Sequence, residues 1–241
     1  ALAAVDCRNE IRFEIFEKDP LHVFLAGFGP VECADHLLGL DGKTVAIEGF
    51  GIHSVVMAEL LIERGAKVVG ISTLSGSMSN SGGFSAEEIR EGWENQGANF
   101  VSGEGEEAEP AWKIFQCGAD VLFTGSKMGA VNHTTAEKLG IEALIPHQPI
   151  PFTTKALAVL QKKDCMVLPC FIPVAGPLFS YWVDDETEIA DIVSKASSEM
   201  KSALDEVAGH EDGLFLGSCY RAEAFLASWQ KTLPFGRPLA S

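Results

Sequence analysis

Six residues, Gly49-Phe50-Gly51-Ile52-His53-Ser54, stand where a short apolar run gives way to a helical pattern. Glycines spaced G-x-G at such a junction suit a phosphate. The first permits a tight turn, the second lets backbone approach a pyrophosphate, and a small third residue lets helix and strand pack closely. The usual third glycine is Ser54 here, a small replacement that can still pack. The following helix would aim the first-turn amides of Ile52 and His53 at the anion. The turn therefore reads as the site of an adenine dinucleotide's diphosphate. Its alternative is a pair of glycines needed by the fold alone.

Three further stretches carry chemistry. Ser72 and Thr73 end the next apolar run, where an acidic residue would bond the adenine ribose. Thr73 carries no charge and no Arg or Lys lies nearby, so NAD and NADP stay equally open. Thr124-Gly125-Ser126-Lys127 follows a third apolar run and offers a cation for a phosphate or carboxylate, or a helix-start lysine in solvent. The stretch IPHQPIP, 145–151, holds three prolines around His147 and Gln148. His147 is the general acid/base candidate, because an imidazole titrates near neutrality. Its alternative is a structural or solvent-facing histidine. His53 reads as a helix-start residue. Cys170 is expected on the same rim, and no metal-ligand spacing links the histidines and cysteines.

The elements that must position these groups follow from periodicity. Ile11, Phe13 and Ile15 alternate with charged residues and suggest a short half-buried strand. A helix is expected over 30–40, with Pro30 in its first turn. Buried strands are expected at 43–49 and 66–73, joined by a helix over 52–65 that stops at Gly65: a βαβ unit, with a right-handed crossover. A polar loop follows at 75–83, then a helix over 84–97 with Ser85 as N-cap. An acidic surface loop is expected over 104–110. Three more apolar runs, 119–125, 141–147 and 164–172, alternate with helical segments near 129–139 and 153–163. Two long helices fill 185–231. Alternation of this kind predicts a parallel sheet covered on both faces.

Composition narrows the partners. The chain has 241 residues, 46% hydrophobic, and a formal charge of −16. Such a surface repels nucleic acid and anionic lipid. No apolar run approaches the roughly 20 residues of a membrane span. The six cysteines form no C-x-x-C pair and fit reduced thiols in a cytoplasmic protein.

LDGKTVAIEGFG, LIERGAKVVGIST and GSMSNSGGFSAEEI together resemble the cofactor domain of the glutamate/leucine/phenylalanine/valine dehydrogenase family. ADVLFTGSKMGAVNHTTAEKL, PFTTKALAVL and MVLPCFIPVAGPLFSYW are similar to its later strands and crossover helices, and the resemblance covers roughly residues 26 to 238. It implies a NAD- or NADP-binding oxidoreductase acting on a small-molecule substrate. It also implies departures. The family's Gly-Asn-Val-Gly falls on Ile52-His53-Ser54, and its glutamate-glycine-alanine-asparagine stretch falls on Pro146, His147, Gln148 and Pro149. An aspartate falls on Cys170 and an asparagine near the nicotinamide on Val174. The stretch before Gly49 is too short for the family's amino-acid-binding domain, with its catalytic lysine and aspartate.

The expected architecture is α/β, a doubly wound parallel sheet (Rossmann-like) with C-terminal helices. One domain spans 1–241, with an N-terminal segment and helix to 40, a βαβ core over 41–184 and tail helices from 185. Three functions stay open: an oxidoreductase of this family, alone or with a second polypeptide; a non-catalytic nucleotide-binding or regulatory subunit; and an enzyme that reuses the crevice without a dinucleotide. The apolar tail faces, with Leu214, Phe215, Leu216, Phe225, Leu226 and Trp229, predict a homo-oligomer or a complex with a second subunit. Cover from the N-terminal segment is the alternative.

Overall fold

The computed structural model describes residues 14–102, 108–181 and 187–232. Two short strands open it, β1 (Ile15–Phe16) and β2 (Asp19–Pro20), paired antiparallel. Ile15 is exposed, while Phe16 packs edge-on to Phe24; Ile11 and Phe13 lie outside the described residues. Then come α1 (Leu21–Leu38), β3 (Thr44–Glu48), α2 (Ile52–Glu63), β4 (Lys67–Thr73) and β5 (Gly76–Ser79). The second half runs α3 (Ala86–Gln96), β6 (Val121–Thr124), α4 (His133–Lys138), β7 (Ala143–Pro146), α5 (Thr154–Lys162) and β8 (Met166–Val167). The chain continues through a 3-10 segment over Pro173–Tyr181 into α6 (Ile189–Asp205) and α7 (Gly213–Ala227).

Six strands make one sheet in the order β5-β4-β3-β6-β7-β8, parallel except for β5 against β4. From β3 the chain winds outward through β4, then returns to β6 and winds the other way. The β3/β6 pair is the switch point, where ligands of such sheets bind. This pair is pinned at both ends. Asp120 accepts from the Thr44 amide (2.8 Å) and hydroxyl (2.7 Å), and Glu48 accepts from the Thr124 hydroxyl at 2.7 Å. One apolar cluster packs α1, α2 and α6 on one face, with Ile47, Ile71 and Phe123 from the sheet. A second packs α4 and α5 on the other face, with Ala46, Val69 and Leu122.

Several boundaries differ from expectation. The first long helix begins at Leu21, so Pro30 sits in its interior. Gly27 and Gly29, just before it, serve close packing. A Cβ on Gly27 would lie 2.5 Å from the His53 carbonyl oxygen, and one on Gly29 would lie 2.3 Å from that of Pro173. The loop expected at 75–83 contains β5. As an edge strand it pairs through backbone and needs no apolar run; its buried Ser77 donates its amide to Glu109 (2.7 Å) and its hydroxyl to Pro110 (3.0 Å). The run 164–172 pairs over only two residues. Ser85 caps α3 as expected, accepting from the Glu88 amide at 3.2 Å while Glu88 accepts from Ser85.

The tail is anchored by a buried carboxylate. Glu32 of α1 accepts from Arg64 (2.5 Å), from Lys201 of α6 (2.7 Å) and from Ser197. Burial pushes the Glu32 carboxyl up, but these donors outweigh it and hold it below the ordinary value. A depressed carboxylate adds stability above the unfolded pKa, about 4.3. That stability is lost as pH falls through the lower folded value. Glu32→Gln should cost about 3 kcal/mol at pH 7, because Arg64 and Lys201 lose their counter-charge. Urea unfolding from pH 6 to pH 3 checks this: the variant should lose less stability on acidification than the wild type.

Candidate functional site

The Gly-rich turn leaves β3 at the carboxyl edge of the sheet, above the switch pair. Gly49 has φ +83°, and a Cβ there would stand 2.2 Å from the Ser126 amide nitrogen. It joins the turn to the loop after β6. Its N–H and that of Phe50 donate to the Ser72 carbonyl at 3.2 and 2.7 Å. The Phe50 ring turns into the core, 5.7 Å from Trp93 and 5.4 Å from Phe100. Phe50 thus anchors the turn from beneath. Gly51 differs from Gly49: its backbone is extended, and no atom lies within 4 Å of where a Cβ would stand. That open space above an ordered turn, at the start of a 12-residue helix, fits a diphosphate. The first-turn amides of Ile52 and His53 have no helical carbonyl to meet. Ser54 changes the donor set, because its hydroxyl accepts from the Gly51 amide at 3.1 Å.

Beside the turn lies a cleft of about 530 Å³, lined by Glu48, Ser72, Thr73, Ser126, Lys127 and Lys138, with Trp112 and Phe115 on its wall. Thr73 is committed elsewhere: its hydroxyl donates to the Ala98 carbonyl (2.7 Å) and accepts from the Ser75 amide (3.0 Å). Thr124 is fully buried, with its hydroxyl on Glu48. Gly125 and Ser126 donate their amides to the same carboxylate oxygen at 3.1 and 3.2 Å. Lys127 is exposed and reaches the cleft. No lysine near Thr73 in sequence suggested a phosphate partner, yet the fold brings Lys127 and Lys138 into the cleft that Thr73 lines.

His147 is 7% exposed. Its Nε2–H donates to the Glu48 carbonyl at 2.8 Å, and a Cβ on Gly125 would stand 2.5 Å from its ring. Burial pushes its pKa down, against the smaller effect of the Glu48 contacts. His53 is also held down, by burial and by His22 nearby. Both rings are thus neutral at pH 7. Lys127 and His147 emerge from adjacent strands, but only Lys127 is open to solvent. Among the described residues, no group of His, Cys, Asp and Glu could hold a metal, and no helix is long and apolar enough to cross a membrane.

Sequence reasoning missed Glu48, Trp112 and Lys138. Glu48 carried a signal, a charge closing an apolar strand one residue before the turn. Trp112 and Lys138 carried none, because only the sheet order brings them to the cleft.

Residues 27–208 match the family model described as Glutamate/Leucine/Phenylalanine/Valine dehydrogenase. A glutamate dehydrogenase of Thermotoga maritima is 29% identical over 182 residues, 71% of this chain and 43% of that relative. An NADP-specific glutamate dehydrogenase of Saccharolobus shibatae is 22% identical over 188 residues, 73% of this chain and 44% of that relative. The chain thus spans less than half the length of these curated relatives. Among solved structures, the hetero-hexameric glutamate dehydrogenase of Thermus thermophilus, in its Leu-bound form, superposes with a TM-score of 0.76. It is 21% identical, covering 88% of this chain and 53% of that one, a likeness of fold.

Proposed function

Because the chain belongs to the glutamate/leucine/phenylalanine/valine dehydrogenase family, we propose that these residues form the NAD- or NADP-binding part of an oxidoreductase related to amino-acid dehydrogenases. The observation that carries this reading is the open space over Gly51 at the switch point, beside a cleft large enough for half a dinucleotide. The nicotinamide supplies hydride exchange when bound. The chain's own residues bind and orient. The Gly51 turn takes the diphosphate, and Ser72, Ser126 and Lys127 face the adenosine side. Lys127 sets a fixed positive charge in a chain of formal charge −16, able to hold a phosphate or an anionic substrate. His147 fixes the Glu48 carbonyl from which the turn departs. Small-molecule substrate binding is assigned to residues beyond this stretch, in the same polypeptide or in a second subunit. A regulatory nucleotide-binding role is the second reading, favoured by the burial of His147.

Thermal-shift titration with NAD+, NADH, NADP+ and NADPH tests the proposal. At least one should stabilise the protein, and no shift from any at millimolar concentration would defeat it. Lys127→Met should leave Tm within a few degrees, as exposed substitutions do. It should weaken the binding nucleotide about tenfold, equivalent to about 1.4 kcal/mol.

We also propose self-association or a partner at the tail. Leu214 and Phe215 are covered by their own domain, with Phe215 5.8 Å from Phe152. Phe225 and Trp229 remain exposed, as does Phe171, beside an apolar groove of about 450 Å³ shared with Phe179 and Leu226. A patch of this kind is uncommon on a monomer. Light scattering at high micromolar concentration should report more than the 25.8 kDa of one chain; a clean monomer would refute self-association.

A further inference from the structure

We infer that the adenosine diphosphate half of the dinucleotide carries the affinity of this chain, and that the nicotinamide end adds none. This rests on the reading of the Gly51 turn as a dinucleotide site. A doubly wound sheet offers two mononucleotide halves, one on each side of the switch point. Here the two halves are unequally equipped.

On the adenosine side, the cleft brings an aromatic plane and two cations together. Trp112 is 56% exposed on the cleft wall and offers a face for a purine. Lys127 and Lys138 reach the same space and suit phosphate oxygens. The carboxylate on this wall, Glu48, is turned back to the sheet by the Thr124 hydroxyl and the Gly125 and Ser126 amides.

The opposite rim has little left to offer a carboxamide, a planar group that needs both donors and acceptors. Pro146, Pro149 and Pro151 have no N–H. The His147 amide donates to Thr124 at 3.0 Å, and its ring Nε2 donates to Glu48. The carbonyls of Ile150 and Pro151 each accept at 2.9 Å, from Gly129 and Val131. Beyond β8 the pattern repeats. Pro169 and Pro173 lack donors, the Leu168 amide donates to Leu144, and the Cys170 carbonyl accepts from Val174. These backbone groups are spoken for, which leaves the half-buried Gln148 side chain as the one side-chain amide of these two stretches, so a nicotinamide placed there gains little that water did not already give it.

Isothermal titration of the full chain compares ADP-ribose with NAD+, and 2′-phospho-ADP-ribose with NADP+. Within the pair that binds, the two dissociation constants should agree within threefold. Nicotinamide mononucleotide should give no heat at millimolar concentration. Trp112→Ala and Lys138→Met should each weaken both members of the pair about tenfold and equally. A dinucleotide bound more than threefold tighter than its nicotinamide-free counterpart overturns the inference, as does unequal loss in either variant. Absence of binding by every ligand overturns the dinucleotide reading itself, and this inference with it.

Discussion

Gly49→Val should unfold the protein or cost about 4 kcal/mol or more, while Gly51→Val should leave it folded and unable to bind NAD(P). The two glycines stand two residues apart, and their neighbourhoods decide the difference. At Gly49 a valine meets φ +83°, which a β-branched residue tolerates poorly, and its Cβ falls 2.2 Å from the Ser126 nitrogen. Backbone cannot yield there without parting the turn from the loop after β6. At Gly51 φ is −149° and nothing lies within 4 Å, so valine adopts the native backbone without a clash. Its cost is that of a poor N-cap, about 1 kcal/mol or less. The isopropyl group then fills the volume assigned to the diphosphate. Denaturant melts and calorimetric titration of both variants separate the effects. A Gly51→Val protein that binds NAD(P) like the wild type would remove the turn from the site.

His147→Ala should destabilise the protein by about 2–4 kcal/mol. A solvent-facing histidine would cost little, and the structure corrects that alternative. The ring is buried, packs under Gly125 and donates to the Glu48 carbonyl. Removing it opens a cavity and strips that carbonyl of one of its two donors, leaving the Gly125 amide at 3.0 Å. The pH dependence has a definite sign. Burial lowers the folded pKa of His147, so its stability is fully present above the unfolded value, near about 6.5, and is lost as pH falls below it. His147→Ala should abolish that part of the loss between pH 7 and pH 5, and leave the steeper loss that Glu32 brings at lower pH. Equal slopes in wild type and variant from pH 7 to pH 5 would contradict this account.

Local pattern revealed much of the fold and less of the site. The strands at 43–49 and 66–73 and the helix between them announced themselves through apolar runs and a glycine-marked turn. Ser85 and Glu88 spelled out a capping box. What failed had a common physical cause, since one residue type serves two purposes. Pro30 looked like a helix start, yet it lies inside α1, where Gly27 and Gly29 let the α2 start and the 3-10 segment approach the backbone. The serines of β5 looked like a loop because an edge strand carries no apolar signature. At the site, Gly49 and Gly51 were legible as a pair, but their separate duties depend on Ser126, 77 positions beyond Gly49. Lys138 and Trp112 belong to the cleft only because β6 lies next to β3.

The aromatic cluster under the turn also has an optical consequence. Phe50, between the two glycines, lies 5.7 Å from the Trp93 ring, which is half-buried, whereas Trp112 stands exposed in the cleft. Two indoles therefore watch the same site from different surroundings, one emitting from an apolar setting and the other from water. A purine stacked on Trp112 quenches the red-shifted component and leaves the blue one in place. Loosening of the turn shifts the blue one instead. With Trp182 and Trp229 replaced by phenylalanine, a single emission spectrum separates the arrival of a nucleotide from the loss of the structure that receives it.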